Sequence, residues 1–352
     1  MRFGLKENSV QTKINQDPDF NRLLTAIHHA EPDRLPLAEL WVDPPVKAAF
    51  LGDVSEEILD CRKQGYDVEK DILFWHQAGY DYIRIAPRYE FPKSWLDHPE
   101  ARLSTMEEYE KYPWPSEEYF DYSDIEKAAN FLPDGMKVIA SPQGGIYEEG
   151  WLTMGYENFM LDLYDNPALI QKVCDSIGAA LLKMFERFAL YDHVGGFWFS
   201  DDIAYTEGLI LSSEMIRHYL FPWYEKFTAI AKRSGKVIFF HSDGDLTPLL
   251  DDFIAMGFHA IHPIEPKAMD VVELKNRVRG KLALLGSVDL DFPLSRGTPE
   301  DVTDYVRKRI RESAPGGGFA IGSSNSVTHY VPLDNYRAML DTVARYGEYP
   351  IC

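Results

Sequence analysis

Cysteine is scarce in this chain. Only Cys61, Cys174 and Cys352 occur, and their spacing matches no zinc ribbon, C-x-x-C pair or disulfide framework. Long hydrophobic runs are missing as well: nowhere do about 18 apolar residues follow one another. The opening MRFGLKENSVQTKINQDPDF has no apolar stretch of the kind that a secretory leader needs. A cytoplasmic protein in a reducing compartment is therefore expected. Positive charge is also in short supply, with 36 Lys and Arg against 56 Asp and Glu and a net charge of −20. No basic footprint is available to neutralise phosphates, so nucleic acid and anionic membranes are disfavoured as partners. Neither G-x-G-x-x-G nor G-x-x-x-x-G-K-[ST] is found, which removes the support for a dinucleotide or P-loop fold.

What is present is ordinary globular material, 45% hydrophobic and 26% charged. Short apolar runs recur: RLPLAEL (34–40), YIRIA (82–86), KVIAS (137–141), GGFWFS (195–200), KVIFFH (236–241), HAIHPI (259–264), LALLGS (282–287) and GFAIGS (318–323). They lack the strict alternation of a half-solvated strand and read as strands covered on both faces. Helix signals fill the spaces between. TPEDVTDYVRKRIRES (298–313) offers Thr298 as cap, Pro299 at the first helical position, and acids before bases. In 212–236 a serine cap opens the helix, Pro222 should kink or split it, and Gly235 should end it. Eight such β–α units predict one α/β domain over 1–352, a (β/α)8 TIM barrel. Its N-terminal third carries helical and loop insertions, at about 42–80 and 88–133.

Chemistry in such a barrel gathers where strands finish. The stretch VIFFHSDGD puts His241 and Asp243 two residues apart, hence on one side of an extended chain. Glu265 follows the next run. One imidazole and two carboxylates suit a divalent transition metal, zinc first, with Ser323 or Asn325 near enough to the last strand end to complete the set. The alternative is a His–Asp hydrogen bond with Glu265 paired to Lys267. Asp201 and Asp202 follow another run; adjacent residues point opposite ways, so one should cap a helix and the other face substrate. Trp41 and Tyr205 are candidates for lining an aromatic pocket, Glu39 lies at the first strand end, and Arg84 and Arg88 could hold a ligand carboxylate.

Taken with RLLTAIHHAEPDRLPL, WFSDDIAYTEGLILSSEMIRHYLFPWYEKF, LLGSVDLDFPLSRGTPEDV and GGGFAIGSSNSVTHYVPLDNYRAML, these stretches resemble the uroporphyrinogen decarboxylase-like barrel family. That family holds the decarboxylases and the methyltransferases that serve corrinoid proteins. The decarboxylase branch has an arginine-rich N-terminal motif, an FSD-type motif and a GHG-type motif. Here those places read LAELWVDPP, IRIAPRYEF and GSSNS. The methyltransferase branch is similar in more places: its thiol-methylating members bind zinc through H-x-C, through a cysteine after the last strand and in some cases through a Glu. The matching positions here are His241-Ser242-Asp243, Ser323–Ser324 and Glu265.

With both thiolates replaced, the site becomes harder and suits an oxygen ligand. The resemblance thus implies a methyltransferase that moves a methyl group from a methoxylated, aromatic small molecule to the cobalt(I) of a corrinoid protein. His241, Asp243, Glu265 and Ser323 would hold zinc or another divalent metal, and Asp201 or Asp202 would act as the acid. Trp41, Glu39, Arg88, Tyr205 and Asn325 would bind substrate. A homodimer is left open. The competing readings are a tetrapyrrole decarboxylase with a divergent site and a non-catalytic corrinoid-binding barrel.

Overall fold

A computed structural model describes residues 17–52, 54–89 and 103–351. Seven parallel strands form one sheet: β1 (Tyr82–Ile85), β2 (Lys137–Ala140), β3 (Val194–Ser200), β6 (Val237–His241), β7 (Ala260–Ile264), β8 (Ala283–Gly286) and β9 (Phe319–Ala320), bonded in that order. The two-residue strands β4 (Ala204–Tyr205) and β5 (Gly208–Leu209) make a separate hairpin beyond β3. All seven sheet strands fall on predicted runs, and the α/β architecture is a curled parallel sheet of the TIM-barrel kind.

The eighth run, 34–40, joins differently. Leu37 bridges Ile321 in parallel, with Ala38 N–H donating to the Ile321 carbonyl at 2.8 Å. On its other side no ladder forms with β1. Instead the Tyr82 hydroxyl receives the Glu39 N–H at 2.7 Å and donates to the Glu39 carbonyl at 2.8 Å. One phenol thus satisfies both backbone groups that a strand partner would have taken, as buried peptide groups require.

Period-two alternation sorts the barrel's residues. On β3, Phe197 and Phe199 pack against Phe185 of the helix Pro167–Ala189. Trp198 points the other way, edge-on to Phe239 and to His262 with centroids 5.4 and 5.0 Å apart. The same alternation carries His241 to the mouth of the interior.

Helix boundaries follow local chemistry. Thr298 and Asp301 form the capping box of Pro299–Ser313. Around Pro222 the chain splits into Ser213–Tyr219 and Phe221–Ser234, and Gly235 ends the second helix in the left-handed region at φ 66°. Between 42 and 80 the chain is more regular than expected, with helices Pro44–Leu51 and Val68–Gln77. The second insertion carries helices Met106–Lys111 and Ser123–Ala128; its part at 90–102, like Cys352, lies outside the described residues. Cys61 and Cys174 are buried and free. Among the described residues, no helix is long and apolar enough to cross a membrane.

Candidate metal and substrate site

Three strand ends build the site. In register, Ser200 of β3 lies beside His241 of β6, and His241 lies beside His262 of β7. Immediately past those ends stand Asp202 and Asp243. His241 Nε2 is 3.6 Å from an Asp202 oxygen and 3.7 Å from an Asp243 oxygen. One ligand atom from each of the three residues lies within 4.8 Å of the others. Bonds of 2.0–2.1 Å to a tetrahedral zinc would separate neighbouring donors by about 3.3 Å. The two spacings from His241 are within a few tenths of an ångström of that value, and the three donors, nitrogen and oxygen without sulfur, are a set that could hold a divalent cation.

Supporting contacts hold the donors. Asp202 accepts the Asp243 N–H at 3.0 Å, and Asn325 donates to both Asp243 oxygens at 2.7 and 2.8 Å. Behind His241, the Nδ1 atoms of His241 and His262 are 2.8 Å apart. Burial, then the His241 charge, holds the His262 pKa well below the usual range, so its ring is neutral.

A cavity of about 180 Å³ opens at the cluster, with Asp202, His241, Glu148, Trp41, Arg62 and Arg84 in its lining. A second, of about 430 Å³, includes Glu265, Lys267, Asp289, Asn325 and Tyr330 in its lining. Glu148 belongs to the helix Ile146–Met154 and accepts the Gly145 N–H at 3.2 Å. Burial, followed by the charges of Asp202 and Asp201, pushes its carboxyl well above the ordinary range.

Several expected roles are corrected. Asp201 is a cap and not an acid at the substrate: it is fully buried, and its oxygens accept the N–H groups of Ile146, Tyr147 and Glu148 and the Tyr224 hydroxyl. It caps the helix after β2, not the one after its own strand. Gly145 makes this possible, because a Cβ there would collide with the Asp201 carboxyl. Burial pushes Asp201 up to about 6, against four hydrogen bonds that favour the charged form.

Ser323, expected among the ligands, is engaged with Glu39 instead. Its hydroxyl donates to Glu39 at 2.7 Å and its N–H to the same carboxyl at 2.6 Å. Glu39 is thereby removed from substrate too, sealed in the interior with burial pushing its carboxyl up to about 8. Glu265 stands outside the three-residue cluster, in the larger cavity; burial and then the Asp243 charge raise it to about 7. Arg88 is occupied by Asp121 and Asp124, tying the second insertion to the barrel. Tyr205, 52% exposed on the small hairpin, lines neither cavity.

Trp41 does line the smaller cavity, its indole N–H donating to Asp43 at 2.8 Å and the Arg62 guanidinium 4.5 Å from its ring centre. Asn325 acts through Asp243. Three residues escaped the sequence reading: Asp202 as a member of the candidate cation cluster, His262 behind His241, and Glu148. The signal for His262 was the matching end of two neighbouring runs, FFH and AIH; for Glu148 it was an acid after Gly-Gly, which reads equally well as an ordinary first turn.

The sequence profile described as Uroporphyrinogen decarboxylase (URO-D) matches residues 147–346. No curated protein matches the chain. Among solved structures, a methyltransferase from Methanosarcina mazei is similar over 94% of this chain and 99% of its own, with TM-score 0.69 and 14% identity, a likeness of fold. An intracellular xylanase from Thermoanaerobacterium saccharolyticum covers 92% of this chain and 99% of its own at 12% identity, with TM-score 0.45. The profile spans more than half of the chain and contains β3, the histidines of β6 and β7 and the last strands of the barrel, so the chain belongs to the uroporphyrinogen decarboxylase (URO-D) family.

Proposed function

We propose that this chain is the methyltransferase of an O-demethylase system, transferring a methyl group from a methoxylated aromatic compound to the cobalt(I) of a corrinoid protein. The observation that carries this reading is the sulfur-free cluster of Asp202, His241 and Asp243 at the barrel mouth. Zinc or another divalent cation held there would supply Lewis acidity toward an ether oxygen. The likeness in fold to a methyltransferase from Methanosarcina mazei adds weight, as does the family.

In the reaction the methyl–oxygen bond breaks, the oxygen keeps the bonding pair, and the cobalt(I) pair forms the new bond to carbon. The oxygen then needs a proton. Glu148, in the same cavity as Asp202 and His241 and with its carboxyl pushed well above the ordinary range by burial, donates it. His262 accepts from His241 Nδ1 and leaves Nε2 with its lone pair toward the carboxylates. Asn325 fixes the Asp243 carboxylate, and Trp41 supplies an aromatic wall.

A polycarboxylate tetrapyrrole would need several arginines free at the mouth. The smaller cavity has two, and Arg62 is already bound by both oxygens of Asp60. The decisive experiment is an anaerobic assay with reduced corrinoid and a panel of methoxylated aromatics. Methyl-cobalt absorbance and the released phenol should appear together and vanish in His241→Ala. No transfer from any member of the panel, by protein containing one divalent ion per chain, overturns the reading.

A further inference from the structure

Buried charges in proteins are paired or are absent, because desolvating an ion is expensive. Arg84 departs from this rule. It projects from β1, is 8% exposed, and has no carboxylate partner among the described residues. Its Nη2 donates to the Ser141 hydroxyl at 2.6 Å and the Pro142 carbonyl at 3.1 Å, two neutral acceptors that fix the plane of the guanidinium. Its Nε is buried and has no hydrogen-bond partner among the described residues. This side chain lines the smaller cavity, 5.7 Å from the centre of the Trp41 ring. Arg62 adjoins it, but there the charge is matched by Asp60. The cavity is thus lined both by the Arg84 guanidinium and by Asp202 and His241 of the cation cluster.

The geometry points to Arg84 as the seat of a substrate carboxylate, so that the ligand is an aromatic acid whose ring lies beside Trp41 and whose opposite end reaches His241 and Asp202. This rests on the methyl-transfer reading for the far end of the ligand, but the anion seat is separately measurable. About 180 Å³ is the scale of a single ring; an engineered cavity of about 150 Å³ accepts benzene. A planar guanidinium with donors to spare recognises a carboxylate in two-point fashion. In a protein of net charge −20, such an acid would otherwise be repelled, so one uncompensated cation at the cavity decides selectivity.

The test is calorimetric titration of the full-length protein with benzoate and its neutral isostere benzamide, in EDTA so that no cation at His241 can hold the carboxylate. Benzoate should bind at least tenfold more tightly than benzamide. Arg84→Gln should erase that preference, and Arg84→Lys should retain part of it. Equal affinities in the wild-type protein, no saturable benzoate binding, or unchanged benzoate binding by a folded Arg84→Gln protein would each overturn the assignment. Should Arg84→Gln fail to fold, the wild-type comparison alone decides. Methyl transfer separates the two readings: benzoate binding without turnover of any methoxylated acid leaves the seat and removes the activity. Equal turnover of methoxybenzene and methoxybenzoate leaves the activity and removes the seat.

Discussion

His241 and His262 meet nitrogen to nitrogen, Nδ1 to Nδ1 at 2.8 Å. Only one proton fits between them, and its place decides whether His241 offers a lone pair or an N–H to Asp202 and Asp243. With His262 neutral by burial, a cation at Nε2 of His241 requires His241 to be the donor. His262 is thus a positioning residue.

Replacing His262 with Phe should weaken zinc binding by about 10- to 100-fold, the usual effect of removing the partner of a metal-bound imidazole. His262→Asn, which keeps an acceptor near the old Nδ1, should recover part of the loss. Competition against a chromogenic chelator measures both. Wild-type affinity in His262→Phe would show that the pair does not set the His241 tautomer.

Glu148 is assigned the proton for the leaving oxygen. Glu148→Gln should lower kcat by about 10²-fold or more for a poor phenolate leaving group, with little change in KM. A nitro-substituted substrate, whose phenolate leaves without help, should lose much less. An equal loss for both would reduce Glu148 to a packing role.

The Asp201 carboxylate serves three backbone N–H groups and the Tyr224 hydroxyl in a sealed position. Asp201→Ala orphans all four donors, and at least about 1–3 kcal/mol of stability, the cost of a single unsatisfied buried group, should disappear. Zinc affinity per folded molecule should stay within about threefold, because Asp201 is not a ligand. Urea denaturation and metal titration of the same variant separate the two roles; a stable variant that has lost its metal would reverse the assignment.

Glu39 sets a pH dependence of stability. Its carboxyl moves from 4.5 to about 8 on folding. Between those values the folded chain keeps a proton that the unfolded chain releases, so this group's contribution falls as pH rises and is fully lost above about 8. Relative to wild type, Glu39→Gln should gain stability from pH 5 to pH 8, by about 1.4 kcal/mol per pH unit at most, and level off above. Parallel urea denaturation curves at several pH values test this. A difference that does not change with pH would mean that Glu39 is ionised in the fold.

Much of the barrel was legible because its signals are local. A run such as KVIFFH is apolar because β6 is covered on both faces. Thr298, Pro299, Pro222 and Gly235 act through the backbone within a few residues of themselves, and so the ends and breaks of helices could be placed by inspection. His241 and Asp243 could be paired for the same reason, since two residues of extended chain return to one side.

Register and reach were not legible. Asp201 caps a helix that starts 55 residues earlier, and Asp202, one step along, turns toward His241; alternation fixed that they would differ but not which one went where. Ser323 was lost to Glu39, 284 residues away, because the first and last runs are adjacent only once the sheet has curled round. Whether Glu265 or Asp202 completes the cluster depends on the stagger between β3, β6 and β7, and whether Arg84 meets a carboxylate or a cavity depends on what the opposite wall brings. Local sequence sets where a strand ends and which way its side chains alternate; contact across the barrel depends on strand order and shear, which belong to the folded sheet as a whole.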